Sequence, residues 1–402
     1  MKIAILTPSF LPKVGGHQVF TYNVARQLVA FGNTVCTYVP AEDFHALAPQ
    51  FRSDLRPLPR RFFGFANRVP VLGLFWAQRY LLRRQRQESY DAWLVIVTSP
   101  SGLVASCLKG KVPIVLRASG ADIQKAPELG YGLRIDSAQE AKIARTVKSY
   151  DRLVALTETV RTDFLDLGAA DRDIVTIPNG VDLDWFAPER SAKEIRSELG
   201  WPSNETVILT TGRNHAKKGF NLIPSIAAKL RDEGFRFSWY VVGLGVGAIS
   251  EEIRARGLQD CVFTHDEVGV DTSLGEEWRF PDVKLVNMYQ ASDIYAFPSL
   301  LETFGMVQIE AMAAGVAVVS TDAPGCCDVV KHEVNGLQTE AGDVDSFVDQ
   351  LGRLLADPAL RAYLSANGRR FVQAYSWPNV ARQYEEVFEE LIGRRQASEA
   401  PA

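Results

Sequence analysis

Residues 302–310, ETFGMVQIE, begin and end with glutamate and carry no charge in between. A carboxylate accepts hydrogen bonds from two neighbouring hydroxyls, as on a ribose or a hexose, while an uncharged turn offers backbone N–H donors to a phosphate. One such loop can hold sugar, phosphate and ribose together. Two surface glutamates that merely frame a loop are the plain alternative, and spacing alone leaves it open. A second loop, TGRNHAKKG at 211–219, brings Arg213 and Lys218 close in sequence. Arginine supplies a planar fork of donors and lysine a mobile point charge, a pairing suited to a diphosphate; a solvated basic loop is its alternative. A third stretch, PKVGGHQ at 12–18, sets Gly15 and Gly16 before a helix, where N–H groups and the helix dipole favour an anion. A tight structural turn would ask for glycine there as well.

The elements that must position these loops alternate regularly. KIAILTPSF reads as a strand, VFTYNVARQLVAFGN as a helix with Val19, Tyr22, Val24, Leu28 and Val29 at helical spacing and Gly32 as its stop, and TVCTYV as the next strand. The alternation continues through AWLVIVTS, VPIVLRAS, RLVALT and IVTIPN. A second series runs through TVILTTG, FSWYVVG, CVFT, DIYAFPS and VAVVST. Two α/β wound sheets are expected, and the glutamate and basic loops both fall at carboxyl ends of strands, the usual ligand edge of such sheets. The polar, proline-containing stretch from Gly180 to Glu205 reads as the hinge. The boundaries are 1–182 for a first Rossmann-like domain, 183–375 for a second, and 376–396 for an amphipathic terminal helix with Val380, Tyr384, Val387, Phe388 and Leu391 on one face. The tail QASEAPA reads as disordered.

Composition frames this reading. At 402 residues the chain is too long for one ordinary core, and 47% hydrophobic with 23% charged residues describes a folded, water-soluble protein. The N-terminus lacks the pattern of a signal peptide, and the longest apolar runs fall short of the roughly 20 residues that span a bilayer. Five cysteines without metal-ligand spacing suit a reducing compartment, so a cytoplasmic location is expected. The vicinal Cys326 and Cys327 read as small residues behind a turn, with redox activity as the alternative.

Taken together, E-x₇-E in PSLLETFGMVQIEAMAAGVAVVSTDAPG, GRNHAKKG, IPNGVD at 177–182 and the N-terminal glycine pair resemble the glycosyltransferase family 4 enzymes. The resemblance covers nearly the whole chain. It implies a GT-B fold, two Rossmann-like doubly wound domains facing a central cleft, with the YSWPNVARQYEEVF helix crossing back to the first. It also implies a retaining, metal-independent hexosyl transfer from a UDP- or GDP-linked sugar to an acceptor hydroxyl, with no cofactor beyond that co-substrate. Carried over residue by residue, Arg213 and Lys218 neutralise the departing diphosphate. Glu302 contacts the donor sugar, and Glu310 holds the ribose. Phe304, Gly305, Met306 and Val307 line sugar and diphosphate with Gly15 and Gly16, and the base sits near VVGLGVG and the turn after Phe263. The DLD at 182–184 and DVD at 343–345 fall in the hinge and a late helix, and are read as coincidental matches to a metal motif.

One departure stands out. The family often has a histidine in an HG-x-D segment, and here RASGADI at 117–123 puts Ser119 in its place while keeping Gly120 and Asp122. Ser119, Asp122 and His17 are therefore the candidates for positioning the sugar or acceptor, with Arg117 as another. Residues 51–90 carry nine arginines against Asp54 and Glu88, a formal +7 in a chain of net −4, interleaved with Phe62, Phe63, Phe65, Leu74, Phe75 and Trp76. An anionic membrane surface and a lipid-linked or saccharide acceptor are the partners expected from this, at the inner face of the membrane, in cell-envelope polysaccharide or glycolipid synthesis. The alternative is that Leu74, Phe75 and Trp76 pack inside the first domain. Nucleic acid is not an expected partner. A catalytically silent GT-B protein that binds a nucleotide sugar or a protein partner is the other functional reading.

Overall fold

Both sheets follow from runs of Val, Ile, Leu and Ala buried on two faces, the pattern of parallel strands covered by helices. The computed structural model describes residues 1–47, 54–64, 70–266 and 278–399. It divides into two units, Met1–Gly180 with Trp377–Ala402, and Val181–Ser376.

In the first unit the strands are β1 (Lys2–Leu6), β2 (Thr34–Val39), β3 (Leu55–Pro57), β4 (Ala92–Ile96), β5 (Ile114–Arg117), β6 (Arg152–Ala155) and β7 (Ile174–Thr176). They form a parallel sheet ordered β3-β2-β1-β4-β5-β6-β7. Helix α1 (Gly16–Ala30) ends at Phe31 and at Gly32 with φ +89°. It buries Val19, Val24 and Leu28 as the spacing predicts, but Val29 is exposed and Phe20 and Asn23 are buried. The C-terminal helix (Trp377–Glu399) explains the difference: it covers α1, and the Phe20 ring lies 5.3 Å from that of Tyr384 and 6.3 Å from that of Trp377. Asn33 donates to Glu385 at 2.6 Å and Arg152 to Glu390 at 2.8 Å, fastening the helix along its length. The helix runs on through Gln396–Glu399, so the first four residues read as a disordered tail are helical; neither glycine nor proline interrupts them. Helix α2 (Pro70–Glu88) connects β3 to β4.

In the second unit β8 (Thr206–Thr211), β9 (Phe237–Val242), β10 (Val262–His265), β11 (Ile294–Phe297), β12 (Ala317–Thr321) and β13 (Leu337–Thr339) make a parallel sheet ordered β10-β9-β8-β11-β12-β13. One face packs Ile208, Trp239, Val241, Ala296 and Val319 against helical residues such as Ile226, Leu230 and Leu351. Helices α3 (Val283–Gln290) and α4 (Met306–Ala314) flank β11 in sequence. The order reverses between β8 and β11, the switch point at whose carboxyl edge open α/β sheets usually bind their ligands.

The two aspartate pairs have local structural work. Asp182 accepts from the Trp185 N–H at 3.1 Å, and Asp343 from Asp345 and Ser346 N–H at 2.8 and 3.0 Å, so each caps a helix. Among the described residues no cluster of three or more His, Cys, Asp or Glu is arranged to hold a metal. Cys326 is buried, Cys327 partly so, and both are free thiols. Among the described residues no helix is long and apolar enough to cross a membrane.

Candidate functional site

The loops after β8 and β11 are joined by backbone before any side chain is considered. Leu300 and Leu301 N–H both donate to the Lys217 carbonyl, at 2.7 and 3.3 Å, and the Ser299 hydroxyl donates to the same oxygen at 2.9 Å. Gly219, at φ +64°, lies so close that a Cβ would stand 1.9 Å from the Pro298 carbonyl. Only glycine admits both the left-handed conformation and that approach.

This junction brings Lys218 to Glu302, 84 residues away in sequence. The Lys218 ammonium donates to Glu302 Oε1, Lys217 stands 3.9 Å from Oε2, and the Ser299 hydroxyl oxygen lies 3.3 Å from Oε1. Glu302 is buried, which pushes its carboxyl up, but the charges of Lys218 and Lys217 and the hydrogen bond from Lys218 outweigh burial and hold it below the usual carboxylate range. Lys218 also sits 4.9 Å from the centroid of the Phe297 ring. Glu302 is pinned from behind: its N–H donates to Pro324 at 2.8 Å, and a Cβ on Gly325, at φ +78°, would stand 2.1 Å from its carbonyl oxygen. Arg213 is exposed on the same basic loop and makes no ion pair among the described residues.

From Glu302 the chain passes through Thr303 and Phe304, both buried, to Gly305 at φ +74° and into α4. N–H groups of the first helical turn, beginning at Met306 and Val307, have no intrahelical acceptor and carry the positive end of the helix dipole. Gln308 folds its amide under the turn, donating to the Phe304 and Gly305 carbonyls at 3.3 and 3.4 Å, and its Oε1 is buried without a partner among the described residues. Glu310, one turn further on, is half-buried and receives the Tyr289 hydroxyl at 2.9 Å. Burial raises its pKa to about 7 despite that hydrogen bond and the Lys218 charge. Beneath it Thr211 Oγ1 lies 2.7 Å from the Tyr289 hydroxyl and 2.9 Å from that of Tyr295, fixing the tyrosine that holds the carboxyl.

The second unit therefore gathers Lys218, Glu302, Phe304, Gly305, Met306, Val307 and Glu310 along one path at its sheet edge, with Arg213 on the adjoining loop. Lys217, Gln308, Tyr289 and Gly325 belong to the same structure and were missed by sequence reasoning. The doubled lysine in HAKKG and the glycine of DAPG were the available signals; nothing in sequence points to Tyr289.

The first unit gathers its own group at the carboxyl edge of its sheet. Asp122 accepts N–H groups from Thr98, Ser119 and Gly120 at 2.8, 2.9 and 2.8 Å, setting the loop after β5. Arg117 is wholly buried, its guanidinium carbon 3.8 Å from the centroid of the Phe20 ring, donating to Ser119 Oγ at 2.9 Å and Asn179 Oδ1 at 2.5 Å. Burial lowers its pKa. His17 lies with Nε2 2.8 Å from Ser9 Oγ, which Gln18 also approaches at 2.8 Å. Burial, reinforced by the Arg117 charge, pushes His17 down to about 4, so its imidazole is neutral at pH 7. Gly15 has φ −173°, ordinary extended backbone, so no tight turn demands it, and a Cβ would meet only the Gln18 amide oxygen at 2.8 Å, the movable end of a flexible side chain. Gly16 opens α1 and is exposed.

Residues 14–185 match the family described as Glycosyltransferase Family 4, and residues 191–371 the family described as Glycosyl transferases group 1. The D-inositol 3-phosphate glycosyltransferase of Corynebacterium jeikeium is 30% identical over 396 residues, 94% of this chain and 92% of that protein. That of Xylanimonas cellulosilytica is 34% identical over 265 residues, 63% of this chain; the match spans 60% of the relative's length. Among solved structures, sucrose-phosphate synthase from Thermosynechococcus elongatus superposes with TM-score 0.78 at 20% identity, covering 98% of this chain and 99% of that one. Anabaena HepE, in complex with UDP and glucose, gives 0.76 at 19% identity over 97% of this chain and 100% of that one.

Proposed function

The chain belongs to the family 4 glycosyltransferases and has their GT-B fold, and we propose that it moves a sugar from a UDP- or GDP-linked donor to an acceptor hydroxyl with retention of anomeric configuration. The observation that carries this reading is the Lys218–Glu302 pair, pinned between two loops and followed within one helix start by Glu310.

Lys218 has three donors, and Glu302 occupies one. The others are available to a diphosphate, whose leaving charge would be met by Lys218, Arg213 and the first-turn N–H groups of α4 in a preorganised arrangement. Glu302, kept ionised by its lysines, accepts from the hydroxyls of the transferred sugar. Glu310 accepts the vicinal hydroxyls of the ribose and completes its ionisation as it does so. No side chain is assigned as a nucleophile: the acceptor hydroxyl attacks on the face the diphosphate leaves, and the leaving phosphate takes its proton.

The acceptor we propose is an anionic or lipid-linked saccharide or polyol, in envelope polysaccharide or glycolipid synthesis. The relatives' name, which specifies a phosphorylated inositol, and the arginine excess of residues 51–90 support that class. In the first unit the Ser119 hydroxyl, its oxygen already accepting from Arg117, has its proton free to donate to a substrate oxygen.

The experiment is a thermal-shift screen of UDP- and GDP-sugars on the wild type, Glu310→Ala and Lys218→Ala, followed by diphosphate release with the best donor and NMR of the product's anomeric carbon. A shift lost in both variants, with release of diphosphate, supports the reading. Inversion at the anomeric carbon would overturn the retaining mechanism, and no shift with any donor would overturn the site.

A further inference from the structure

We infer that α2 docks in the plane of an anionic phospholipid surface. The helix packs inward through Ala77 and Leu81, both fully buried, and Gln85, which accepts from the Trp93 indole at 2.7 Å. Its other side is largely exposed among the described residues. Val71 is 81% exposed, Leu72 66%, Phe75 58% and Trp76 39%, among the largest apolar exposures in the described chain, and they occupy consecutive turns. Of the sequence's apolar trio Leu74 is mostly covered, Trp76 packs partly against the buried Phe62 ring, and Phe75 is the one that does not pack inside.

At about 100° per residue, Val71, Leu72, Phe75, Trp76, Arg79, Arg83 and Arg86 fall within an arc of about 140°. All are exposed. The apolar residues fill the first turns of that stripe and the arginines the later ones, over about 22 Å at 1.5 Å per residue. The Arg79 guanidinium lies 5.6 Å from the Phe75 ring centroid. The Phe62 ring contacts Trp76 at 5.6 Å and Tyr80 at 5.5 Å between centroids, which places the neighbouring exposed Arg60 and Arg61 beside the helix. The helix's own acid, Glu88, is turned away and paired with Lys2 at 3.1 Å. Arg52, Phe65 and Arg68 lie outside the described residues.

Charge and layout choose among occupants. A second copy laid face to face would set arginines against arginines. A nucleic acid would use the arginines and leave four apolar side chains in water. A bilayer with anionic headgroups takes both: the apolar turns enter the acyl boundary, Trp76 sits at the interface, and the arginines lie at phosphate level with their stems along the apolar edge. In a chain of net −4 this stripe is the place where such a surface attracts rather than repels. The inference rests on the proposed lipid-linked acceptor only for its purpose.

The test is co-sedimentation of the full chain with phosphatidylcholine vesicles, with and without phosphatidylglycerol, at low and high salt. Binding should require phosphatidylglycerol and weaken with salt. Each arginine removed should lower partitioning about fivefold, so R79S/R83S loses about 25-fold. Phe75→Ser, a substitution at an exposed site, should weaken binding at every salt concentration, and a blue shift of tryptophan emission on binding should disappear in Trp76→Phe. Absence of binding to phosphatidylglycerol vesicles, or binding indifferent to these substitutions, overturns the inference. So does concentration-dependent dimerisation that Phe75→Ser abolishes, with no vesicle binding. Donor thermal shift is measured on the same samples: donor binding without vesicle binding defeats docking alone, and vesicle binding without donor binding defeats only the functional reading.

Discussion

Glu310→Gln should make the donor-free protein more stable above pH 7 while disabling its donor site. Glu310 carries a folded-state pKa of about 7 against an ordinary 4.5. The sign follows from proton counting: between those values the folded state binds more protons than the unfolded, so ionising Glu310 erodes stability as pH rises through the window. The full penalty, about 2.5 units at 1.36 kcal/mol each, is roughly 3 kcal/mol at pH 8. The solvent contact Glu310 retains reduces what is recovered, to about 2 kcal/mol. The glutamine keeps an oxygen to accept from Tyr289 and escapes that penalty. Unfolding entropy for a unit of this size is about 0.4 kcal/mol/K, so the midpoint should rise by about 5 °C at pH 8 and by only about 1–2 °C at pH 5, just above the ordinary 4.5 of the unfolded carboxyl. Thermal unfolding at the two pH values checks it. Donor binding should move the other way: wild-type affinity falls about tenfold per unit below pH 7, and the glutamine variant binds about 100-fold more weakly at pH 8 with a flat profile. A midpoint difference that is the same at pH 5 and pH 8, or a variant destabilised at both, would refute the reasoning.

Lys218→Met removes the ammonium that donates to the buried Glu302, leaving Lys217 at 3.9 Å, and should cost about 3 kcal/mol. Adding Glu302→Gln should restore most of the midpoint but none of the activity; a double variant no more stable than the single one would mean that the pair does not carry the loss. Gly325→Ala combines φ +78° with a Cβ 2.1 Å from the Glu302 carbonyl, and should lower kcat at least tenfold while thermal shifts with the free nucleoside diphosphate persist. Ser119→Ala removes an acceptor from a wholly buried guanidinium and should destabilise by about 1–3 kcal/mol, a loss that Ser119→Thr largely avoids, in calorimetry of the free protein.

The sequence was most legible where burial is two-sided. Strands such as AWLVI and IVLR are continuous apolar runs because helices cover both faces of a parallel sheet, and no turn chemistry competes with that signal. β3 and β13, three residues each at sheet edges, offer too little burial to leave one, and were not read as strands. The site was legible in its residues and not in its pairings. Spacing puts Glu302 and Glu310 on one loop-helix junction, but which cation each meets depends on a crossing 84 residues away. The same limit hid the opposite fates of the two glutamates: lysines keep Glu302 ionised, while burial above a tyrosine network raises Glu310.

Those opposite fates set the charge that a donor would meet. On the two joined loops Arg213, Lys217 and Lys218 stand against one fully ionised carboxylate, Glu302, and Glu310 below pH 7 is largely neutral. The balance before binding is near +2, and the diphosphate of a nucleotide sugar carries close to −2. A nucleotide linked through one phosphate would leave a cation unmatched, and a site with Glu310 ionised from the start would repel the pyrophosphate it must hold. If Glu310 holds the ribose as proposed, a carboxyl raised to about 7 would serve recognition: its charge would appear with the hydroxyls that solvate it, after the diphosphate has neutralised the lysines. Proton release on binding is the corollary, and calorimetry in buffers of different ionisation enthalpy at pH 6.5 should find more than half a proton released per nucleotide sugar bound by the wild type and none by Glu310→Gln.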